Sequence, residues 1–263
     1  MSAQHQDNTN HILDHPPRKL RGEITIIQHN TAKTEGVHQT LLEIAARRKA
    51  DIIAIQEPKA WQNKTTNLFY SISHNMYELI LPTNLHIRPR VAIYLRKATN
   101  FQFKTRQDLA ENSDFLAIEI YKPTERFLLF NLYNEKELSE DSGAQSRGKT
   151  TVKRSVLGLN PRLPFLLLGD FNSHHPWWNS EAGNPPKETQ DLVAWLQHHN
   201  CELLGEEEPT LFRSNLINQS IIDLAFHSPD FKETQIDNWA TIESTGSDHV
   251  TIGFSLFLSL IHI

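Results

Sequence analysis

Cysteine is almost missing from this chain: Cys201 stands alone in 263 residues. That excludes an internal disulfide framework and a cysteine-rich zinc site, and it suits a reducing compartment. Long apolar runs are missing too. The best candidate, "FSLFLSLI" (254–261), contains two serines and falls well short of the roughly 20 residues that a membrane-crossing helix needs. The opening "MSAQHQDNTNHILDHPPRKLRG" has no hydrophobic core of a secretory signal, and residues 1–20 read as a mobile polar tail. Positive charge is not in excess either. Lys and Arg number 26 against 31 Asp and Glu, a net charge of −5, so the chain does not coat nucleic acid by bulk charge. A local basic rim beside an acidic metal site remains compatible with that total.

What is present is an alternation of strand-like and helix-like runs in one globular unit, residues 21–263. "EITIIQHN" (23–30) is β-branched and strand-like, and "GVHQTLLEIAARRK" (36–49) sets Val37, Leu41, Leu42, Ile44 and Ala45 on one helical face. "DIIAIQE" (51–57) is a short apolar run of the kind covered on both faces in a central strand. "MYELILP", "RVAIYLRK", "FQFKTR", "FLAIEIY" and "RFLLFNLYN" follow, separated by short polar turns, and predict an antiparallel meander. After a polar loop over 134–150 come a helix over 151–159, the strand "PFLLLGD" and a helix over 188–199. "SIIDLAF" (220–226), "TQIDNWATI" (234–242) and "HVTIGFSLFLS" (249–259) complete the strands. Two β-rich halves, each with helices, predict an α/β sandwich of two packed sheets flanked by helices.

Four stretches have plainer readings than their motifs suggest. "GAQSRGKT" (143–150) fits the phosphate-loop pattern, but the segment before it, "NEKELSEDS", is acidic and polar and does not deliver a strand; it reads as a solvated loop. His174 and His175 are adjacent, with no cysteine or H-E-x-x-H partner, which argues against zinc. Ser247, Asp248 and His249 are also adjacent, so they do not form a nucleophilic triad. Pro176, Trp177 and Trp178 read as the cap of a core edge rather than a base-stacking platform.

The chemistry lies in where the strands stop. Asn30, Glu57, Tyr133, Asp170 with Asn172, Asp223, and Asp248 with His249 are polar groups on or at the ends of successive apolar strands. A buried carboxylate costs several kcal/mol unless it is paired or bound to a metal. If the chain stays extended through Phe171, Asp170 and Asn172 point to the same side, an acceptor and a donor suited to a water and a phosphate.

In this order "QHN", "IQEP", "NLYN", "LLLGDFN", "IIDLAF" and "GSDH" resemble the signature blocks of the endonuclease/exonuclease/phosphatase superfamily, which includes DNase I and the apurinic/apyrimidinic endonucleases. "LLLGDFNSHHPWWNS" and "RVAIYLRK" resemble, more narrowly, the endonuclease domain of LINE-like (non-LTR) retrotransposons. The resemblance implies a four-layered α/β sandwich, DNase I-like, with two mostly antiparallel sheets. It also implies a Mg²⁺-dependent (or Mn²⁺-dependent) endonuclease that nicks DNA and leaves a 3′-hydroxyl. The same fold also serves phosphatases and phosphodiesterases acting on RNA, inositol or lipid, and a non-catalytic DNA-binding descendant is a further alternative.

By matching blocks, Glu57 would be the principal metal ligand, with Asn30 and Asp248 near the metal. Asp170 would orient or deprotonate the attacking water, and Asn172, Tyr133 and the rim residue His174 would contact the substrate. His249, oriented by Asp223, would stabilise charge on the phosphoryl oxygens. One departure stands out: the apurinic enzymes carry an aspartate two residues after the first-strand asparagine, where this chain has Ala32. DNA is the implied partner, with an intracellular, nuclear location and no membrane. The chain stops soon after its last strand, so an isolated domain or a remnant of a longer polyprotein with a reverse transcriptase is expected.

Overall fold

The computed structural model describes residues 22–257 except 110–111, 123–124, 136–149, 206–207, 213–218 and 232–235. The expected tail (1–20) and most of the phosphate-loop-like stretch therefore lie outside the described residues. Along the chain run β1 (Glu23–Asn30), α1 (Glu35–Arg47), β2 (Ile52–Gln56), β3 (Ala60–Gln62), β4 (Phe69–Ser71), β5 (Tyr77–Ile80) and β6 (Val91–Arg96). Next come β7 (Gln102–Thr105), β8 (Phe115–Tyr121), β9 (Arg126–Tyr133), β10 (Phe165–Asp170) and α2 (Lys187–His198). The last are β11 (Glu202–Leu204), β12 (Leu211–Phe212), β13 (Gln219–Ser220), β14 (Asp223–His227), β15 (Ile236–Ile242) and β16 (Thr251–Phe257).

Two six-stranded sheets form, in the orders β15-β16-β1-β2-β6-β5 and β11-β14-β10-β9-β8-β7. Each sheet has one parallel pair, β1 with β2 and β9 with β10, among antiparallel neighbours. Three apolar clusters show how they stack. Ile24, Ile26, Ile52, Ala54 and Ile93 of the first sheet meet Ile118, Leu129, Leu166 and Leu168 of the second. On the outer face of the first sheet Ile27, Ile53 and Ile55 pack under Leu41, Leu42 and Ala45 of α1. On the outer face of the second, Phe130, Phe165 and Leu167 pack under Leu192, Val193 and Leu196 of α2. Adjacent residues such as Ile26 and Ile27 serve opposite faces because strand side chains alternate. The result is the helix–sheet–sheet–helix sandwich that the sequence implies, an α/β DNase I-like fold.

Three expectations differ from the fold. The meander is divided: β5 and β6 pair in the first sheet, while β7, β8 and β9 pair in the second. The chain changes sheets just after β6, where Phe101 is buried in the cluster between them. Strand pattern reports local conformation, whereas pairing depends on partners far along the chain. The helix over 151–159 is a single π-helical turn, Val152–Val156, closed by the Leu157 N–H bonding to the Val152 carbonyl at 3.1 Å. "SIIDLAF" is interrupted because the Thr210 hydroxyl accepts from both the Ile222 and Asp223 N–H groups, at 3.0 Å each, in place of ladder bonds. The short ribbon β3–β4 went unforeseen in the sequence.

Candidate active site

The parallel pairs place four strand ends together. Asn30 lies beside Gln56 in one sheet, and Asp170 lies beside Tyr133 and Asp223 in the other. Side chains then bridge the sheets. Gln28 Nε2 donates to the Gly169 carbonyl at 3.0 Å, and Asn30 Nδ2 donates to Asp170 Oδ2 at 2.9 Å. Gln56 Nε2 donates to Asn131 Oδ1 at 2.6 Å, while Asn131 Nδ2 donates to the carbonyls of Ile55 and Ala92. These amides are wholly buried, so each bond replaces water that is absent. The apolar core thus changes to a polar seam at one end of the sandwich.

Asp170 is buried at that seam. Besides Asn30, it accepts the Asn172 N–H on Oδ1 at 3.0 Å. Burial first, then the adjacent Asp223 carboxylate, pushes its pKa well above the usual carboxylate range, against the opposing pull of His249 and its own hydrogen bonds. Asp223 meets His249 Nδ1 through Oδ2 at 2.8 Å, and its Oδ1 is buried with no hydrogen-bond partner among the described residues. Burial alone would lower the His249 pKa. The Asp223 carboxylate and its hydrogen bond, followed by Asp170 and Asp248, raise it instead to about 9. Tyr133 lies half-buried with the Arg90 guanidinium 4.2 Å from its ring centre. Burial, followed by Glu57 and Asp170, keeps its hydroxyl protonated far above neutrality.

Glu57 occupies the turn after β2 with φ of 46°, a left-handed backbone that costs an ordinary residue about 1 kcal/mol. Three hydrogen bonds hold it there. Its N–H donates to the Arg90 carbonyl, while its own carbonyl accepts from the Thr31 hydroxyl and the Lys33 N–H, each at 2.8 Å. The Glu57 carboxylate is paired with Lys33 Nζ at 2.6 Å. A hard divalent cation suits this corner chemically. Its donors are the Glu57 carboxylate, which already holds a positive charge, and the Asn30 amide oxygen, which accepts the Ala32 N–H at 2.9 Å and keeps a second lone pair. One atom each from Asp170, Asp223 and His249 also lie within 4.8 Å of one another, a second spacing that admits an ion.

The remaining sequence candidates fall as follows. Asn172 has φ of 47°, so the chain is not extended beyond Phe171. Its backbone N–H bonds to Asp170, while its Nδ2 donates to the Asn134 carbonyl at 2.8 Å. Asp248 is exposed, within 3.5 Å of the Ser247 hydroxyl, and is not in the Asp170–Asp223–His249 group. His174 is exposed. Trp178 is buried against Phe226 and donates from Nε1 to the Ser173 carbonyl, which makes it a core cap.

Several supporting residues escaped the sequence reading. Asn134 is buried, donates to Glu188 Oε1 at 2.9 Å and accepts from the Val152 N–H at 3.0 Å, so it fixes the carbonyl that holds Asn172. Ser247 donates to the Asn30 carbonyl at 3.2 Å and accepts the His249 N–H, tying the last loop to β1. A signal did exist for Gln28 and Asn131: each sits two residues before a site residue, Asn30 or Tyr133, and so shares its face of the strand.

A family model described as endonuclease-reverse transcriptase matches residues 127–253. No curated protein matches the chain by sequence. Among solved structures it resembles the endonuclease domain of TRAS1, a telomere-specific non-LTR retrotransposon, with 21% identity and a TM-score of 0.68 over 89% of this chain and 99% of that one. It also resembles the AP endonuclease LMAP from Leishmania major (13%, 0.65, over 90% and 88%) and the Xenopus laevis APE2 catalytic domain (15%, 0.61, over 89% and 92%). The fold is therefore that of a DNase I-like sandwich. The family match covers residues 127–253, just under half of the chain.

Proposed function

We propose that the chain is a divalent-metal-dependent endonuclease that nicks DNA, and that it is the target-site endonuclease of a retrotransposon-type polyprotein. The observation that carries this reading is the meeting of Asn30, Asp170, Asp223 and His249 at one end of the sandwich, beside the Glu57 turn. His249 Nδ1 is engaged by Asp223, so the cation is assigned to Glu57 with Asn30 and, at the rim, Asp248. Bound there, a Mg²⁺ or Mn²⁺ ion would neutralise charge developing on the phosphate.

The protein's own groups do the rest. Asp170, with its raised pKa, is basic enough to take a proton from water and is oriented by Asn30. The water oxygen bonds to phosphorus as the bond to the 3′ oxygen breaks, and the departing 3′ oxygen takes a proton from solvent water, which leaves a 5′-phosphate and a 3′-hydroxyl. His249 is charged at neutral pH and held by Asp223; it donates to a phosphoryl oxygen. Tyr133 remains a neutral phenol and donates as well. One amide hydrogen of Asn172 is taken by Asn134, which leaves the other for the phosphate. His174 lies at the exposed rim as a substrate contact.

A supercoiled-plasmid assay tests the reading. Nicked circles are expected with Mg²⁺ and none with EDTA. Glu57→Ala, Asp170→Asn and His249→Ala are each expected to slow nicking by about 10²–10⁴-fold. Undiminished nicking by Glu57→Ala and His249→Ala sinks the site. Turnover of inositol or lipid phosphates without DNA cleavage would replace the substrate.

A further inference from the structure

Among the described residues, the large apolar side chains that stand exposed are Trp61 (47%), Tyr70 (41%) and Ile87 (52%). They gather in one region. Trp61 and Tyr70 are paired directly across the β3–β4 ribbon, so they share a face. The ribbon's other face holds it to the body. Ala60 and Ser71 are buried, and the Ser71 hydroxyl bonds to the Lys59 carbonyl at 2.7 Å. The Phe69 N–H bonds to the Leu85 carbonyl at 2.7 Å, and the Arg88 guanidinium covers the Phe69 ring at 5.4 Å. A braced ribbon thus presents two aromatic rings to solvent, with Ile87 carried on the loop beside it.

Charge here runs against the molecule as a whole. The chain carries −5, yet residues 58–90 contain Lys59, Lys64, Arg88 and Arg90 against a single acid, Glu78. Lys59 is paired with Glu35, and Arg90 with Asp114 and Glu135, which leaves Lys64 and Arg88. Glu78 is in register with Leu95, at the end of the first sheet away from the seam. Lys64 and Arg88 are exposed, and no described carboxylate pairs with either. Location completes the case. Trp61 follows Glu57 by four residues, so their Cα atoms are at most roughly 14 Å apart. At a rise of about 3.4 Å per nucleotide, that is within roughly four nucleotides of the phosphate at the site.

We infer that the Trp61–Tyr70 ribbon is a nucleic-acid docking surface that stacks unpaired nucleotides flanking the scissile phosphate, with Lys64 and Arg88 on the adjacent backbone. The inference rests on the proposed nuclease site for its position. Base faces are hidden inside a duplex, so an aromatic platform selects substrates that are frayed, gapped or forked at the nick. The ribbon therefore decides where along a DNA the site acts.

Binding in EDTA tests this apart from catalysis. Fluorescence anisotropy compares a labelled duplex with the same duplex carrying a four-nucleotide unpaired arm. The forked DNA is expected to bind about tenfold or more tightly, and Trp61→Ala with Tyr70→Ala to remove that preference. Unchanged thermal unfolding and unchanged hydrolysis of thymidine 5′-p-nitrophenyl phosphate, which is too small to reach the ribbon, are expected for the variant. Lys64→Gln and Arg88→Gln should each flatten the salt dependence by about 0.7 in log–log slope. Equal binding of both DNAs by the parent chain overturns the inference, as does a preference that survives in the aromatic variant. So does a ribbon that governs only self-association in sedimentation. A chain that stacks the forked arm but cleaves no DNA sinks the nuclease reading and leaves this one; a nicking enzyme indifferent to the variants sinks this one alone.

Discussion

Lys33 shows how much one side chain can matter beside a carboxylate. Its ammonium lies 2.6 Å from Glu57, half exposed, where the proposed reading places a metal. A cation entering that corner must displace it, and an ion pair with so exposed a partner opposes entry by about 0.2–1 kcal/mol. Lys33→Met is therefore expected to lower the Mg²⁺ concentration for half-maximal nicking by up to about fivefold, with little change in the rate at saturating metal. A higher Mg²⁺ requirement in the variant would mean that Lys33 helps the metal bind. The backbone at this corner is as distinctive as the charge. Ala32, Lys33 and Glu57 all adopt positive φ without being glycine, so local propensity does not foretell the turn; hydrogen bonds to Thr31 and Arg90 impose it.

Among the elements, β10 is the most constrained. A Cβ built on Gly169 would lie 2.1 Å from the Leu132 carbonyl oxygen of the neighbouring strand. That contact is with backbone, which has no rotamer to change, and the Gly169 carbonyl itself accepts from Gln28 across the sandwich. Gly169→Ala is expected to destabilise the protein by about 1–3 kcal/mol in urea unfolding and to displace Asp170, the next residue. A fully stable and active variant would show that β9 and β10 can separate locally. The glycine of "GDFN" was visible in the sequence as a pause before the polar groups. That it is required by close strand packing was not, because Leu132 is 37 positions away and is brought alongside only by the parallel pairing.

At the scale of the whole molecule, acid is the expected weakness. Burial lowers the pKa of His29 to about 3 and that of His38 to about 4, each from an ordinary value of 6.5. His29 is held by the hydroxyls of Thr245 and Thr251. His38 accepts the Lys59 N–H on Nδ1 and bonds Tyr94 through Nε2. Between those low values and 6.5 the unfolded chain binds protons that the folded chain refuses. Their contribution to stability is complete above pH 6.5 and is lost as pH falls through 4 towards 3. Thermal unfolding is therefore expected at progressively lower temperature from pH 7 to pH 4.5. In His38→Gln, part of that dependence should vanish. His249 has the opposite sign: with a pKa raised to about 9, its stabilisation is present below 6.5 and fades as pH rises through 9.

Strand alternation and apolar runs in the sequence by themselves determined most of the elements, the two-sheet class and the ordered polar groups at strand ends, because these depend on residues close along the chain. The pattern "QHN … IQEP … NLYN … GDFN … SDH" also resembled the superfamily's signature blocks before any contact was known. Tertiary structure alone decided the rest. It set which strands pair and that the supposed meander is shared between two sheets. It also set that Asn30 meets Asp170 from 140 positions away, and that Asp223 and His249 form one hydrogen-bonded unit. The turn of Asn172 towards Asn134, the Lys33–Glu57 pair and the exposed Trp61–Tyr70 ribbon belong to the same group. The physical reason is common to all of them: burial and pairing are properties of neighbours in space, and a linear pattern specifies those neighbours only after the sheets have packed.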